Sequence, residues 1–205
     1  MSHAYSSIFA DRTSHFRHHF AAAIDASPDF TDGDNCFEVL RGVNFVAAHG
    51  GRVRDHRDSL SPNVVDNVDR GLAYSLADVA EAHLQQSRIA RAWLDLFEDI
   101  DVVICPAASS TPFPHDQWSV GEIDGEAMET YMRWLGITYL PTMALACGIA
   151  LPCGLDQAGM PFGIQVLSAP GNDRLVAAVA KALESVLQRH DATRRPLPDL
   201  DSLRG

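Results

Sequence analysis

No stretch of this 205-residue sequence approaches the roughly 20 consecutive apolar residues that a membrane-spanning helix requires. Clustered Lys and Arg are also missing, and 27 acidic residues outnumber 16 basic ones for a net charge of -11. That balance excludes a phosphate backbone and an anionic lipid surface as partners, because both are recognised through concentrated positive charge. The opening residues, MSHAYSSIFADRTSHF, lack the apolar core of a secretory signal. Four cysteines, Cys36, Cys105, Cys147 and Cys153, stand at no disulfide or metal-ligand spacing. Each lies in an apolar run, where a free thiol behaves as a small hydrophobe, and a reducing cytoplasm is the simplest setting. No internal repeat is present, and no motif calls for a cofactor or a metal.

What remains is an ordinary globular composition, 46% hydrophobic and 21% charged, enough for one real core. Ile8, Phe16, Phe20 and Ile24 recur at near-helical spacing and predict a helix over 8–25. Asp34 is placed to cap a second helix, with Phe37, Leu40, Val43 and Ala47 on one face and Gly50-Gly51 as its stop. Ser61-Pro62 opens a short helix to about Arg70. Ser75 with Asp78 forms a capping box that starts a long helix to about Asp99, buried through Val79, Ala82, Ile89, Trp93, Leu96 and Ile100.

The β-branched run Asp101 to Cys105, closed by Pro106, predicts a buried strand. After a loop to about 123, Asp124 is expected to cap a helix presenting Met128, Tyr131, Met132 and Leu135 and ending at Gly136. A helical turn after Thr138, strands at 149–151 and 161–168, and an amphipathic helix over 171–190 follow. That last helix faces Leu175, Val179, Ala182, Val186 and Leu187 inward. Gly154 and Gly159 permit a turn between the strands, and Gly163 lets another backbone approach. The alternation predicts a layered α/β fold, a mixed β-sheet flanked by helices, over a single domain 1–190, with 191–205 as a Pro-rich surface tail.

Asp101 to Pro106, Pro152-Cys153-Gly154, Gly159-Met160-Pro161-Phe162-Gly163-Ile164-Gln165 and the closing helix stand in an order that resembles the C-terminal portion of the amidase signature family. The similarity runs over about residues 30 to 190 and is strongest after 100. It implies cleavage of carboxamide C–N bonds by a Ser–cis-Ser–Lys relay with backbone N–H groups holding the oxyanion. The family's nucleophile and lysine lie upstream of everything matched here. The sequence contains one lysine, Lys181, mid-helix, and its serine pairs, Ser6-Ser7 and Ser109-Ser110, have no glycine-rich surroundings. Where the family carries Asn and then Gly-x-Pro, this chain has Thr142 and then Leu145-Ala146-Cys147.

The resemblance therefore assigns no catalytic residue to this chain and reads it as truncated and inactive alone. It implies substrate-pocket positions at Trp118, Tyr131, Trp134, Thr138 and Gln165. The three aromatics read equally well as core, and Gln165 as a structural hydrogen bond inside an apolar strand. The expected partners are a small-molecule amide, once a catalytic half completes the site, and either a second copy of the chain or the absent N-terminal part. A non-catalytic remnant or interaction module retaining the fold is the alternative. An unrelated hydrolase would need a different centre. Ser109-Ser110 has no base nearby and reads as loop hydroxyls bonded to their own backbone. His15 and His19, at i and i+4, lack an obvious third metal ligand and read as a solvated helix face. Cys105 with His115 could form a thiolate pair, but its strand setting predicts a buried, inert thiol.

Overall fold

A computed structural model describes residues 1–198, 200 and 201. The chain divides into two compact units. One comprises Met1–Ser27, Phe97–Thr138 and Ala146–Gly205, and the other Pro28–Leu96 and Tyr139–Leu145. No helix among the described residues is long and apolar enough to cross a membrane.

The first unit is built on an antiparallel sheet of β1 (Val103–Pro106), β5 (Pro161–Ser168) and β4 (Cys147–Leu155), in the order β1-β5-β4. The expected α/β class is what forms, with antiparallel sheets flanked by helices. β5 occupies the centre, and Ile164 and Val166 are completely buried on one face. Helix α1 (His3–Ser14) and helix α6 (Asp173–Leu187) cover that face. Tyr5, Ile8 and Phe16 meet Leu151, Cys153, Phe162, Val176, Ala180, Leu183 and Leu187 there. Strand period two sends Gly163 and Gln165 to the opposite face. At Gly163 an added Cβ would stand 3.4 Å from both the Ala107 Cβ and the Leu151 carbonyl, a close but ordinary contact.

Several expectations are corrected in this unit. The helix expected over 8–25 runs from 3 to 14 instead. Ser2 caps it, its hydroxyl accepting from the Tyr5 N–H at 3.2 Å, and a turn of 3₁₀ helix at Arg17–His19 follows buried Phe16. Drawing Phe16 into the core redirects the chain, which ends the helix before the apolar spacing does. Asp124 starts no helix after it, and its carboxylate instead accepts from the His3 N–H at the start of α1 at 2.6 Å. With φ of 50° at Asp124 and 87° at Gly125, the pair turns a hairpin between β2 (Glu122–Ile123) and β3 (Glu126–Ala127). Asp-Gly supplies the two positive φ angles that a tight hairpin demands.

The strand over 101–105 is half-buried rather than buried, because β1 lies at the sheet edge among the described residues. In α6 the inward face is rotated. Val176, Ala180, Leu183 and Leu187 are buried, Val179 and Val186 pack beside them, and Ala182 is exposed. Of the stretch expected as a tail, Thr193 is buried and its hydroxyl donates to the Leu187 carbonyl at 2.8 Å. Residues 199 and 202–205 of that stretch lie outside the described residues.

The second unit is a helical assembly of α2 (Gly33–His56), α3 (Pro62–Ala73) and α4 (Leu76–Leu96). The capping box forms. The Asp78 carboxylate accepts from the Ser75 N–H at 2.8 Å, and the Ser75 hydroxyl accepts from the Asp78 N–H at 3.2 Å. Gly50-Gly51 does not stop α2, since neither residue takes a positive φ. Continuing the helix buries Val53, which offsets a glycine penalty of about 1 kcal/mol. Ala82, Ile89 and Trp93 are buried on α4, joined by Gln85, whose side chain donates to the Thr31 carbonyl. Helix α5 (Gly136–Met143) starts in the first unit and ends in the second.

Candidate functional site

Gln165 is the polar residue at the middle of the central strand, paired across the sheet with Cys105 on β1 and Ala150 on β4. Its amide nitrogen faces three acceptors: the Ile137 carbonyl at 2.9 Å, the Pro106 carbonyl at 3.1 Å and the Cys105 sulfur at 3.2 Å. An amide nitrogen carries two N–H groups, so the three acceptors share two donors. The effect is to tie the end of β1 and the start of α5 to one point on β5.

The segment held there carries the other candidates. Trp134 donates its indole N–H to the Tyr131 carbonyl at 3.0 Å, and its ring meets Phe113 edge-on at 5.4 Å. Thr138 donates its hydroxyl to the Leu135 carbonyl at 2.8 Å. Tyr131, Trp134, Thr138 and Gln165 thus belong to one continuous substructure of half-buried residues. Trp118 does not join it. Its side chain is 83% exposed and makes no hydrogen bond or ring contact among the described residues. Sequence reasoning does not single out Phe113. Its place in the Thr-Pro-Phe-Pro run, an aromatic fixed between two prolines, is the one signal that marks it.

The alternative centres acquire no machinery. Burial pushes the Cys105 thiol up to about 11, against a smaller opposing effect of the Gln165 hydrogen bond. Burial likewise lifts Cys153 to about 12, opposed by the nearby Arg12 charge. Both remain protonated near neutrality and are poor nucleophiles. Ser109 is buried, its carbonyl accepting from the Ser2 N–H at 2.8 Å, and Ser110 bonds to the Thr111 carbonyl at 3.3 Å. His15 and His19 do not share a helix face, because α1 ends at Ser14. His15 lies against His190 in a tilted contact at 3.8 Å between ring centres, and His18 lies similarly against His19 at 4.2 Å. Among the described residues no group of three or more His, Cys, Asp or Glu side chains converges as a metal site. Lys181 is exposed on α6.

The family model Amidase matches residues 54–177, more than half of the chain. The chain belongs to the amidase family. All five candidate positions fall inside the matched stretch, and Lys181 lies outside it. One glutamyl-tRNA(Gln) amidotransferase subunit, from Cyanothece sp., is 35% identical over 95 residues, which is 46% of this chain and 18% of that protein. A fatty acid amide hydrolase from Medicago truncatula is 27% identical over 160 residues, 71% of this chain and 25% of that protein. A solved amidase superposes with a TM-score of 0.81 at 19% identity, over 90% of this chain and 42% of its own. This amidase-family chain spans a quarter or less of those curated relatives, and about two fifths of the solved amidase.

Proposed function

We propose that this chain supplies the pocket-wall portion of a carboxamide C–N bond hydrolase and does not hydrolyse amides by itself. The observation that carries the reading is the Gln165 tie. It holds Tyr131, Trp134 and Thr138 beside the sheet, within the stretch that the family model matches. Such a wall offers aromatic surface and a few fixed polar groups, the usual make-up of a small-molecule site. It offers no base and no activated nucleophile. The serine–serine–lysine set that the family's chemistry calls for is to be furnished from outside this chain.

The exposed side of β4 supports association. Gly148, Ile149 and Ala150 are exposed in sequence, uncharged, on a strand whose second edge is unpaired among the described residues. Unprotected edges of this kind invite pairing. The occupant we propose is a separately supplied catalytic portion, with a second copy of this chain as the alternative. Light scattering behind a sizing column separates these from a monomer of 22.3 kDa. A monomer that binds no hydrophobic dye would favour the remnant reading, an independent domain that has closed its own core. The four free cysteines fit a reducing, cytoplasmic setting.

The pocket is tested by titrating the labelled chain with benzamide and following side-chain amide and indole resonances. Saturable shifts at the Gln165 amide and the Trp134 indole are expected, with the Trp118 indole unmoved. Shifts at Trp118 alone, or none at the Gln165–Trp134 substructure, would reject this wall as the amide-facing surface.

A further inference from the structure

A cavity lies on the α1–α6 side of the sheet, the face opposite Gln165. Its volume is about 780 Å³, within the usual range for small-molecule sites. Arg12, Arg194 and Arg195 line it, together with Glu184 and Asp191. Glu184, Asp191 and the Asp11 partner of Arg12 offset the three guanidiniums, so the cavity concentrates arginine donors without carrying a net positive charge.

The three arginines differ in how far they are engaged. Arg12, in the last turn of α1, donates from Nη2 to the Leu155 carbonyl at 2.7 Å and from Nη1 to Asp11. Its Nε is buried with no hydrogen-bond partner. The Nε is closed off beside the Gly154 backbone, and the bond to Leu155 fixes the group against the end of β4. Arg195 makes no hydrogen bond or ion pair among the described residues. Arg194 pairs with Asp191 at 3.3 Å, both side chains largely exposed, an arrangement that contributes little. Backbone geometry brings the arginines together. Gly154 takes a φ of 84°, and a Cβ there would fall on the Ala192 carbonyl. The missing side chain lets the 191–197 segment lie against β4, which seats Arg194 and Arg195 on the same cavity as Arg12. Leu155 and Leu197 give the same cavity an apolar side.

We propose that this cavity binds a small molecule bearing an oxyanion, a carboxylate or a phosphate, through Arg12, Arg194 and Arg195. Guanidiniums recognise both groups with paired, charge-assisted hydrogen bonds. Arg12, held in place by Leu155 and Asp11, offers the second N–H of each Nη, and the two strap arginines take the remaining oxygens. The site is separate from the proposed amide-facing wall and does not depend on that wall's function.

The test is calorimetric and NMR titration of the full chain with inorganic phosphate and, separately, with butyrate, at low ionic strength. Saturable binding is expected, with shifts confined to residues around 12, 154–155 and 184–197. Tighter phosphate binding would name a phosphate ligand, and tighter butyrate binding a carboxylate on an apolar body. Arg195→Gln and Arg194→Gln, at exposed residues whose side chains take no part in the core, should each weaken binding by about tenfold. Arg12→Gln should weaken it at least as much, and Lys181→Gln, elsewhere on α6, should leave it unchanged. Non-saturable heats, or an equal loss in Lys181→Gln and Arg195→Gln, would overturn the proposal and reduce the effect to general charge screening.

Discussion

Replacing Gln165 with Met keeps nearly the same volume and removes every donor. The Ile137 and Pro106 carbonyls, at 2.9 and 3.1 Å from the amide nitrogen, then lose their partner in a half-buried setting. Two neutral hydrogen bonds at about 0.5–1.5 kcal/mol each give an expected loss of about 1–3 kcal/mol. For a chain of this size that corresponds to a fall in Tm of about 2–4 °C per kcal/mol. Gln165→Glu should be worse at neutral pH, since a carboxylate would face two carbonyl oxygens with nothing to donate. Its deficit relative to Gln165→Met should shrink near pH 4, where the protonated acid regains an O–H donor. Urea unfolding followed by tryptophan fluorescence measures each variant, and amide exchange at residues 135–140 localises the loss. If Gln165→Met unfolds within about 0.3 kcal/mol of the parent chain, the amide ties nothing and the substructure is held by packing alone.

Gly71→Ala should destabilise the helical unit by about 1–3 kcal/mol, because the added methyl falls on the Gly42 carbonyl where α2 and α3 cross. Chemical denaturation of the variant checks it, and an unchanged midpoint would place those helices further apart. Asp156→Ala should loosen the β4–β5 turn, where the carboxylate accepts from the Ala158 and Met160 N–H groups at 2.9 and 2.8 Å. Faster amide exchange at residues 158–160 is the readout. Stability should also fall as pH rises from about 9 towards 11. Cys105 and Cys153 keep their protons to about 11 and 12 in the folded chain, while unfolded thiols ionise near 9.0, so the unfolded state binds fewer protons in that window. Replacing both cysteines with Ala should flatten that part of the pH profile, and an unaltered slope would show that the thiols are not desolvated.

Much of the fold is legible in the sequence because local chemistry and tertiary packing agree. The strand over 161–168 coincides with β5, since a largely apolar run broken by Gln165 and bounded by Pro161 and the Ala-Pro-Gly turn favours an extended chain. The Ser75–Asp78 box sets the start of α4 for the same reason. The misses are places where a local signal has a stronger competitor. Asp124 reads as a helix cap, and the positive φ at Asp124 and Gly125 makes a hairpin turn there instead. Gly50-Gly51 reads as a stop, but Val53 lies beyond it and its burial carries the helix through. In the candidate site, a polar residue inside an apolar strand marks Gln165 in advance. Nothing in the sequence separates Trp134 from Trp118. The distinction comes from Phe113 and the Gln165 tie, which place one ring and leave the other in solvent.

We propose that this chain carries an amidase wall without the means to break an amide. The direct measurement is release of ammonia and carboxylic acid from propionamide and benzamide by the purified chain, quantified against buffer over a range of chain concentrations. No release above buffer is expected. Turnover proportional to chain concentration would show that the chain is a complete catalyst, and if it survived Ser109→Ala and Ser110→Ala but fell on thiol modification, it would place the chemistry on a cysteine instead.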